Sequence, residues 1–218
     1  MGWTRPLYLG RFLLIREIRP RAQGMRGRLL DVGCGARPYE RLFPDVSLYV
    51  ALDLPSNPRA DVHGNGLALP FEGEGFDVVF CSQVLEHVSE PGKLIREFAR
   101  VLKPGGRLLL TAPQTWGLHC EPNDFYRFTK YGLCYLAESN GFAVVDVAPT
   151  CGVWATMAQR AADVLVYTCV GERRRLPKAV VSIVLAPVLV VAYLLDRLLG
   201  RWGDTLDHVL LARKGQPI

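Results

Sequence analysis

Hydrophobic and polar positions fall into alternating blocks along residues 28–148. RLLDV (28–32), LYVALD (48–53), FDVVFC (76–81), RLLLTAP (107–113) and FAVVDVA (142–148) are short aliphatic and β-branched runs. Runs of this length predict buried strands. Between the third and fourth, PGKLIREFARVLKPGG (91–106) sets Leu94, Ile95, Phe98, Val101 and Leu102 on one helical face. Pro91 suits its first turn, and Gly105 and Gly106 stop it. A second helix is expected from Thr129, a good N-cap, to Gly141, a good C′ residue. Strands alternating with helices predict an α/β domain whose parallel sheet is covered on both faces.

The pattern changes after residue 148. Residues 149–204 are apolar and helix-like, and Ala179 to Leu195 carries no charge. DHVLLARK (207–214) reads as one more strand. As a helix the uncharged stretch spans roughly 25 Å, short of the ~30 Å hydrocarbon core of a bilayer. If 207–214 joins the sheet that holds 142–148, both ends of the insertion lie on one side, and a single crossing is excluded. What remains is a monotopic patch, a re-entrant hairpin with 153–170 as its other arm, or a buried helical pair; without a membrane, the insertion would be a helical cap over the sheet or a dimer contact. The chain thus divides into a basic amphipathic segment (1–27), an α/β core (28–148), the helical insertion (149–204) and a last strand with its tail (205–218).

Charge bears on the insertion. The 218 residues carry a net charge of +5, half of them are hydrophobic, and the arginines are clustered. Seven lie in residues 1–28 against one acid, Glu17. Arg173, Arg174, Arg175 and Lys178 form a second cluster. With apolar residues such as Leu7, Phe12, Leu14, Ile15 and Ile18 beside them, these clusters suit an anionic membrane surface. The six cysteines (Cys34, Cys81, Cys120, Cys134, Cys151, Cys169) contain no CxxC pair, which is expected of reduced thiols in the cytoplasm. The first twenty residues lack the unbroken apolar stretch and cleavage site of a signal peptide.

Candidate chemistry starts at LLDVGCGARPY (29–39). A strand delivers Asp31, and Gly33 and Gly35 let the backbone pass close to a ligand. Pro38 stands where a dinucleotide GxGxxG turn has its third glycine, which weakens a pyrophosphate reading. Asp53 ends the next strand, placed to accept from ribose hydroxyls.

DVHGNGLALPFEGEGFDVVFCSQVLEHV (61–88), followed by VLKPGG (101–106), resembles the class I S-adenosylmethionine-dependent methyltransferases, within them the group of quinone-biosynthesis enzymes. The resemblance covers about residues 27–148. It implies a Rossmann-like α/β fold, with a mostly parallel seven-stranded sheet, an antiparallel last strand and a helical insertion before it. It implies S-adenosylmethionine as cofactor. Asp31, Gly33 and Gly35 would cradle its methionine end, Asp53 its ribose, Asn65 and Gly66 its adenine, and Ser82 and Gln83 the sulfonium side. Asn65 stands where the family usually has Asp. Leu85 and Val88 are expected to pack, and Glu86 and His87 stay open between reaction-centre and supporting roles.

The acceptor is expected beside TAPQTWGLHCEPNDFYRFTKYGL (111–133), beyond the carboxyl end of a strand. Its H-x-x-P-x-D-F-x-R-F-T pattern resembles a subset associated with glycan and envelope biosynthesis. A hydroxyl acceptor must lose a proton. His119 is the first candidate base, because imidazole titrates near neutral pH; Asp124 and Glu121 follow. Asp124 and Arg127 could instead simply pair. No metal site is expected, since His119–Cys120 lacks the ligand count of one.

The leading expectation is an enzyme that methylates an oxygen of a lipid-linked or glycan acceptor. It would sit at the cytoplasmic membrane face, peripheral or monotopic. Alternatives are C- or O-methylation of a quinone or other apolar small molecule, and a non-catalytic cofactor-binding scaffold at the membrane. Nucleic acid is disfavoured, because no NPPY-like base-flipping motif follows FDVVFC.

Overall fold

The structure is a computed structural model that describes residues 9–170 and 178–215, with side chains omitted at 169–182. Residues 1–8, the Arg173–Arg175 cluster and the side chains of Cys169 and Lys178 therefore lie outside the described residues.

Seven strands form one sheet: β1 (Gly27–Val32), β2 (Val46–Asp53), β3 (Val62–His63), β4 (Phe76–Ser82), β5 (Leu102–Pro113), β6 (Phe142–Pro149) and β7 (Asp207–Lys214). Their order is 3-2-1-4-5-7-6. All neighbouring pairs are parallel except those of β7, which runs antiparallel to β5 and β6. The expected seven-stranded fold with its reversed strand is therefore present. Chain order reverses between β1 and β4, and such a switch point opens a crevice at the carboxyl ends of the strands.

The two faces are built by period-two alternation. Leu30, Val79, Cys81, Leu108, Leu110, Leu210 and Ala212 point to one face. There they meet Leu94, Ile95, Phe98 and Val101 of α2 (Pro91–Val101) and Leu133 and Ala137 of α3 (Lys130–Glu138). Leu29, Val78, Phe80, Leu109 and Val209 point to the other. The second face is covered by α1 (Leu9–Ala22) and by Tyr39 and Phe43.

This packing corrects the reading of the N-terminal segment. Leu14 and Ile18, taken as membrane-facing, are 1% and 0% exposed in the core, while Phe12 stays 55% exposed. An amphipathic stripe looks the same whether a bilayer or a sheet covers it. Helix α2 also ends at Val101, and KPGG belongs to the start of β5. Thr129 caps α3 as expected, its hydroxyl accepting from Gly132 N–H at 3.2 Å.

The insertion is a helical pair, α4 (Val153–Val170) and α5 (Lys178–Leu199). Ala162, Leu185 and Leu189 seal the pair against each other. Buried Asp196 on α5 accepts the N–H groups of Gly152, Trp154 and Ala155 at the start of α4. Arg201 binds Glu17 of α1 at 2.7 Å, which ties the base of the pair to the core. Pro149 of β6 faces His208 of β7, so the insertion leaves and rejoins the sheet at adjacent points. Among the described residues no helix is long and apolar enough to cross a membrane.

Candidate active site

The carboxyl ends of β1 and β2 build the first half of the site. Asp31 is 2% exposed and accepts the Tyr49 hydroxyl at 2.5 Å. Burial pushes its carboxyl up to about 7, against the pull of the Tyr49 hydrogen bond. Among the described residues no cation forms an ion pair with this acid, which suits a ligand that brings a positive charge. Gly33 (φ +75°) leaves no room for a side chain, since a Cβ there would lie 2.3 Å from Val84 Cγ2. Gly35 (φ +52°) faces open space, with nothing within 4 Å of its Cβ position. Asp53 is fixed by three donors: Gly35 N–H at 2.9 Å, Asn57 Nδ2 at 2.7 Å and Leu54 N–H at 2.8 Å. An open space over glycine, between one buried acid and one fixed acid, fits the ribose and methionine ends of S-adenosylmethionine.

Asn65 lies in the turn after β3, exposed, its side-chain oxygen accepting from Leu67 N–H at 2.9 Å. One lone pair of that oxygen remains for an adenine amino group. Gly66 follows it in the same turn. At the end of β4, the Ser82 hydroxyl lies 2.8 Å from that of Thr111, and Gln83 Nε2 donates to Thr111 at 3.2 Å. Gln83 holds a left-handed backbone (φ +58°), a conformation that costs free energy for a non-glycine residue. The eight residues expected at the cofactor lie at the carboxyl ends of β1, β2 and β4 or on the turns after β1, β3 and β4.

The second half comes from the turn after β4 and the loop after β5. Phe125 and Tyr126 N–H both donate to the Glu86 carbonyl, at 2.8 and 3.3 Å, which docks the loop on that turn. Trp116 Nε1 donates to the buried Asp207 at 2.8 Å; burial lifts the Asp207 carboxyl to about 7. Arg127 binds Asp124 and the carbonyls of Trp116 and Gly117. Asp124 also accepts the backbone N–H of His119 at 2.9 Å. The Arg127 hydrogen bonds hold the Asp124 carboxyl well below the usual carboxylate range. That carboxylate shapes the loop and is a poor base. Glu121 is exposed.

His119 meets two residues that the sequence left open. Its Nε2 lies 4.0 Å from Glu86 Oε1, and His87 Nε2 lies 3.7 Å from the same atom. The two imidazole rings stand edge to face, 4.8 Å apart. Glu86 is fully buried, and burial lifts its carboxyl to about 8. Tyr49, Asn57, Thr111 and Asp207 also escaped the sequence reading. Their roles depend on strand register and loop closure, and no local motif marks them.

A family profile described as a methyltransferase domain matches residues 30–110, which run from β1 through β5. Residues 30–110 carry a methyltransferase domain of the class I S-adenosylmethionine-dependent type. It is 30% identical over 127 residues to a ubiquinone biosynthesis O-methyltransferase of Proteus mirabilis, covering 50% of this chain and 52% of that one. It is 31% identical over 154 residues to a demethylmenaquinone methyltransferase of Renibacterium salmoninarum, covering 63% and 65%. The chain thus spans between half and two thirds of the length of these relatives. Among solved structures, the cyclase SpnF is similar at TM-score 0.62 and 22% identity, over 94% of this chain and 81% of that one. A cyclase on this fold shows that the fold alone does not name the reaction. The loop at 114–128 lies beyond the profile match, so the acceptor side must be argued from its own residues.

Proposed function

We propose that the protein transfers a methyl group to a hydroxyl oxygen of a lipid-linked or glycan acceptor at the cytoplasmic face of a membrane. S-adenosylmethionine, when bound, supplies the activated methyl on its sulfonium. Asp31 would hold the ammonium, and the backbone at Gly33 and Gly35 would pass along the methionine chain. Asp53 would accept from the ribose hydroxyls, Asn65 and Gly66 would meet the adenine, and Ser82 and Gln83 would line the sulfonium side. Arg127 and Asp124 hold the acceptor loop in shape. His119 Nε2 would take the proton that the acceptor hydroxyl loses on methylation. Positioning of this kind supplies several kcal/mol of rate.

One observation carries the choice of acceptor. The helical pair connects the end of β6 to Asp207 at the start of β7, the residue that Trp116 of the loop contacts, and its outer side is apolar. Tyr167, Ile183, Val184, Val188, Val191 and Leu198 are each more than half exposed. Apolar surface on this scale marks an interaction site, and a bilayer would bring a lipid-linked acceptor to the loop. The Arg173–Arg175 cluster between the two helices would meet anionic headgroups. A quinone or other apolar ring is the second reading, favoured by the two quinone-modifying relatives.

Purified protein with methyl-labelled S-adenosylmethionine should label a component of a membrane extract. Label in a polar lipid-linked or glycan fraction supports the first reading, and label in a quinone fraction supports the second. No transfer to any fraction, in protein that binds the cofactor, would favour a cofactor-binding scaffold.

A further inference from the structure

We propose that Glu86 Oε1, His87 Nε2 and His119 Nε2 form a site for one divalent transition-metal ion, zinc being the ion whose chemistry they suit best. The three ligand atoms lie within 4.8 Å of one another. A tetrahedral ion with bonds near 2.1 Å holds neighbouring ligand atoms roughly 3.4 Å apart. The 3.7 and 4.0 Å approaches to Glu86 Oε1 are wider by a few tenths of an ångström, and the cluster reaches 4.8 Å at its widest. Side-chain rotations that bring the two imidazoles about 1 Å closer would close it around an ion.

The tautomers direct lone pairs into the cluster. His87 Nδ1 lies 2.6 Å from the Asn123 carbonyl, so Nδ1 carries the hydrogen and Nε2 is bare. His119 Nδ1 faces the Gly117 carbonyl at 3.0 Å and Asp124 Oδ2 at 3.6 Å. Arg127 Nη2 also approaches Nδ1, at 3.4 Å, but it already donates to Gly117 and Asp124 at shorter range. Two near oxygens therefore assign the hydrogen to Nδ1 here as well, leaving Nε2 bare. Two imidazole lone pairs then face a Glu86 oxygen, an acceptor set that either the proton that burial favours on Glu86 or a cation displacing that proton must fill. Glu86 is 0% exposed, and among the described residues neither of its oxygens has a hydrogen-bond partner. A buried set of this kind is costly when it is left empty.

The surroundings match what metal-bound histidines need. Each ring is oriented by a backbone carbonyl on its far nitrogen, the usual outer-shell arrangement. Asp124 is committed to Arg127 and neutralises that guanidinium, so the nearest cation does not compete. His87 and His119 are 23% and 33% exposed, so the cluster is open on one side, as a site with an exchangeable fourth ligand must be. Two imidazoles and one carboxylate select zinc and its transition-metal neighbours over magnesium or calcium. The metal site stands without the methyl-transfer reading. Only its use rests on that reading: an ion there would take the acceptor oxygen as its fourth ligand and lower that oxygen's pKa. His119 would then act through the ion, and as a free base only when the ion is absent.

The test is titration of chelator-treated protein with zinc by calorimetry and with cobalt by visible absorption, with S-adenosylhomocysteine binding measured on the same samples. One equivalent should bind, and cobalt should show d–d bands without thiolate charge transfer. His87→Ala, His119→Ala and Glu86→Gln should each abolish stoichiometric binding, while Cys120→Ser keeps it. A variant that still binds S-adenosylhomocysteine as the parent does counts as folded. For any that does not, the cobalt spectrum of the parent decides alone. Failure of stoichiometric binding, retention of binding in the folded His variants, or thiolate bands would each overturn the site. Loss of S-adenosylhomocysteine binding in the parent would count against the methyltransferase reading and leave the metal result standing.

Discussion

Arg127 grips Asp124 with both terminal nitrogens, Nη1 to Oδ1 at 2.7 Å and Nη2 to Oδ2 at 2.8 Å. The pair sits at the root of the acceptor loop, and Asp124 passes the constraint to the backbone of His119. Arg127→Lys keeps the charge and loses the fork. We expect turnover to fall about a hundredfold, the cost of a displacement near 1 Å at a reacting group, with cofactor affinity unchanged. Steady-state kinetics beside calorimetry would check this. Unchanged turnover would show that the loop holds its shape without the pair.

Cofactor binding should depend on pH through Asp31. Its carboxyl titrates near pH 7 in the unliganded fold, because burial disfavours the charge. The ammonium of the ligand favours the ionised form, so affinity should rise with pH up to about 7 and level off above it. Below that point each unit should cost about tenfold, with proton release on binding. For the unliganded protein the sign is opposite. A carboxyl raised on folding loses stability as pH climbs from the ordinary carboxylate range towards 7. Calorimetry from pH 5.5 to 8 in buffers of different ionisation heat measures both affinity and proton count. Asp31→Asn should flatten the profile, and Tyr49→Phe should move its midpoint upward. A flat profile in the parent protein would remove Asp31 from the ammonium.

Asp53→Ala should weaken S-adenosylhomocysteine binding by about 1.5–3 kcal/mol, the value of hydrogen bonds to a charged group. Asn57→Ala tests the support behind it. Asn57 Nδ2 donates to both Asp53 and the Gly35 carbonyl, each at 2.7 Å. Its loss should cost about tenfold in affinity, roughly one hydrogen bond's net worth. If Asn57→Ala binds as the parent does, Asp53 is held well enough by backbone donors alone.

The candidate cofactor half could be proposed from the sequence because its signals are local. A strand ending in Asp31, two glycines and a second strand ending in Asp53 lie within a short stretch of chain. The acceptor half was less legible because its partners lie far apart in sequence. Glu86 and His87 come from a turn after β4, and His119 from a loop after β5; the Phe125 and Tyr126 hydrogen bonds to Glu86 and the His87 contact with the Asn123 carbonyl bring them together. Tyr49 reaches Asp31 only in the register that pairs Leu29 with Tyr49 and Asp31 with Ala51. Spacing in the chain carries none of this. The N-terminal helix shows the opposite failure: its stripe was seen and its covering surface was misassigned.

His119→Ala should lower turnover by about a hundredfold to ten-thousandfold, the range for loss of a general base, with cofactor affinity within a factor of two. Glu121→Ala, at an exposed position on the same loop, should change little. Asp124→Asn should behave as Arg127→Lys does, since both loosen the loop. A His119 variant with full turnover would leave positioning alone to explain the rate.

The helical pair should bind anionic vesicles without inserting across them. Val184, Val188, Val191 and Leu198 are 64%, 54%, 56% and 80% exposed, whereas Leu189 is 4% exposed and packs against the partner helix. Replacing the four exposed residues with Ser or Asn should release the protein from vesicles. Replacing Leu189 should destabilise the pair itself by about 2–5 kcal/mol, as for a buried leucine truncated to alanine. The distinction matters because both changes would lower vesicle binding, yet only the second would lower the melting temperature. S-adenosylhomocysteine affinity should survive the surface changes, because the cofactor residues lie at the carboxyl ends of β1 to β4 and the turns after them, outside the insertion. Flotation with phosphatidylglycerol vesicles, with and without high salt, separates the apolar contribution from the arginine cluster: salt should weaken binding only in part. A protein that stays off the vesicles and instead halves its sedimentation mass on the surface substitutions would show that the apolar face closes a dimer.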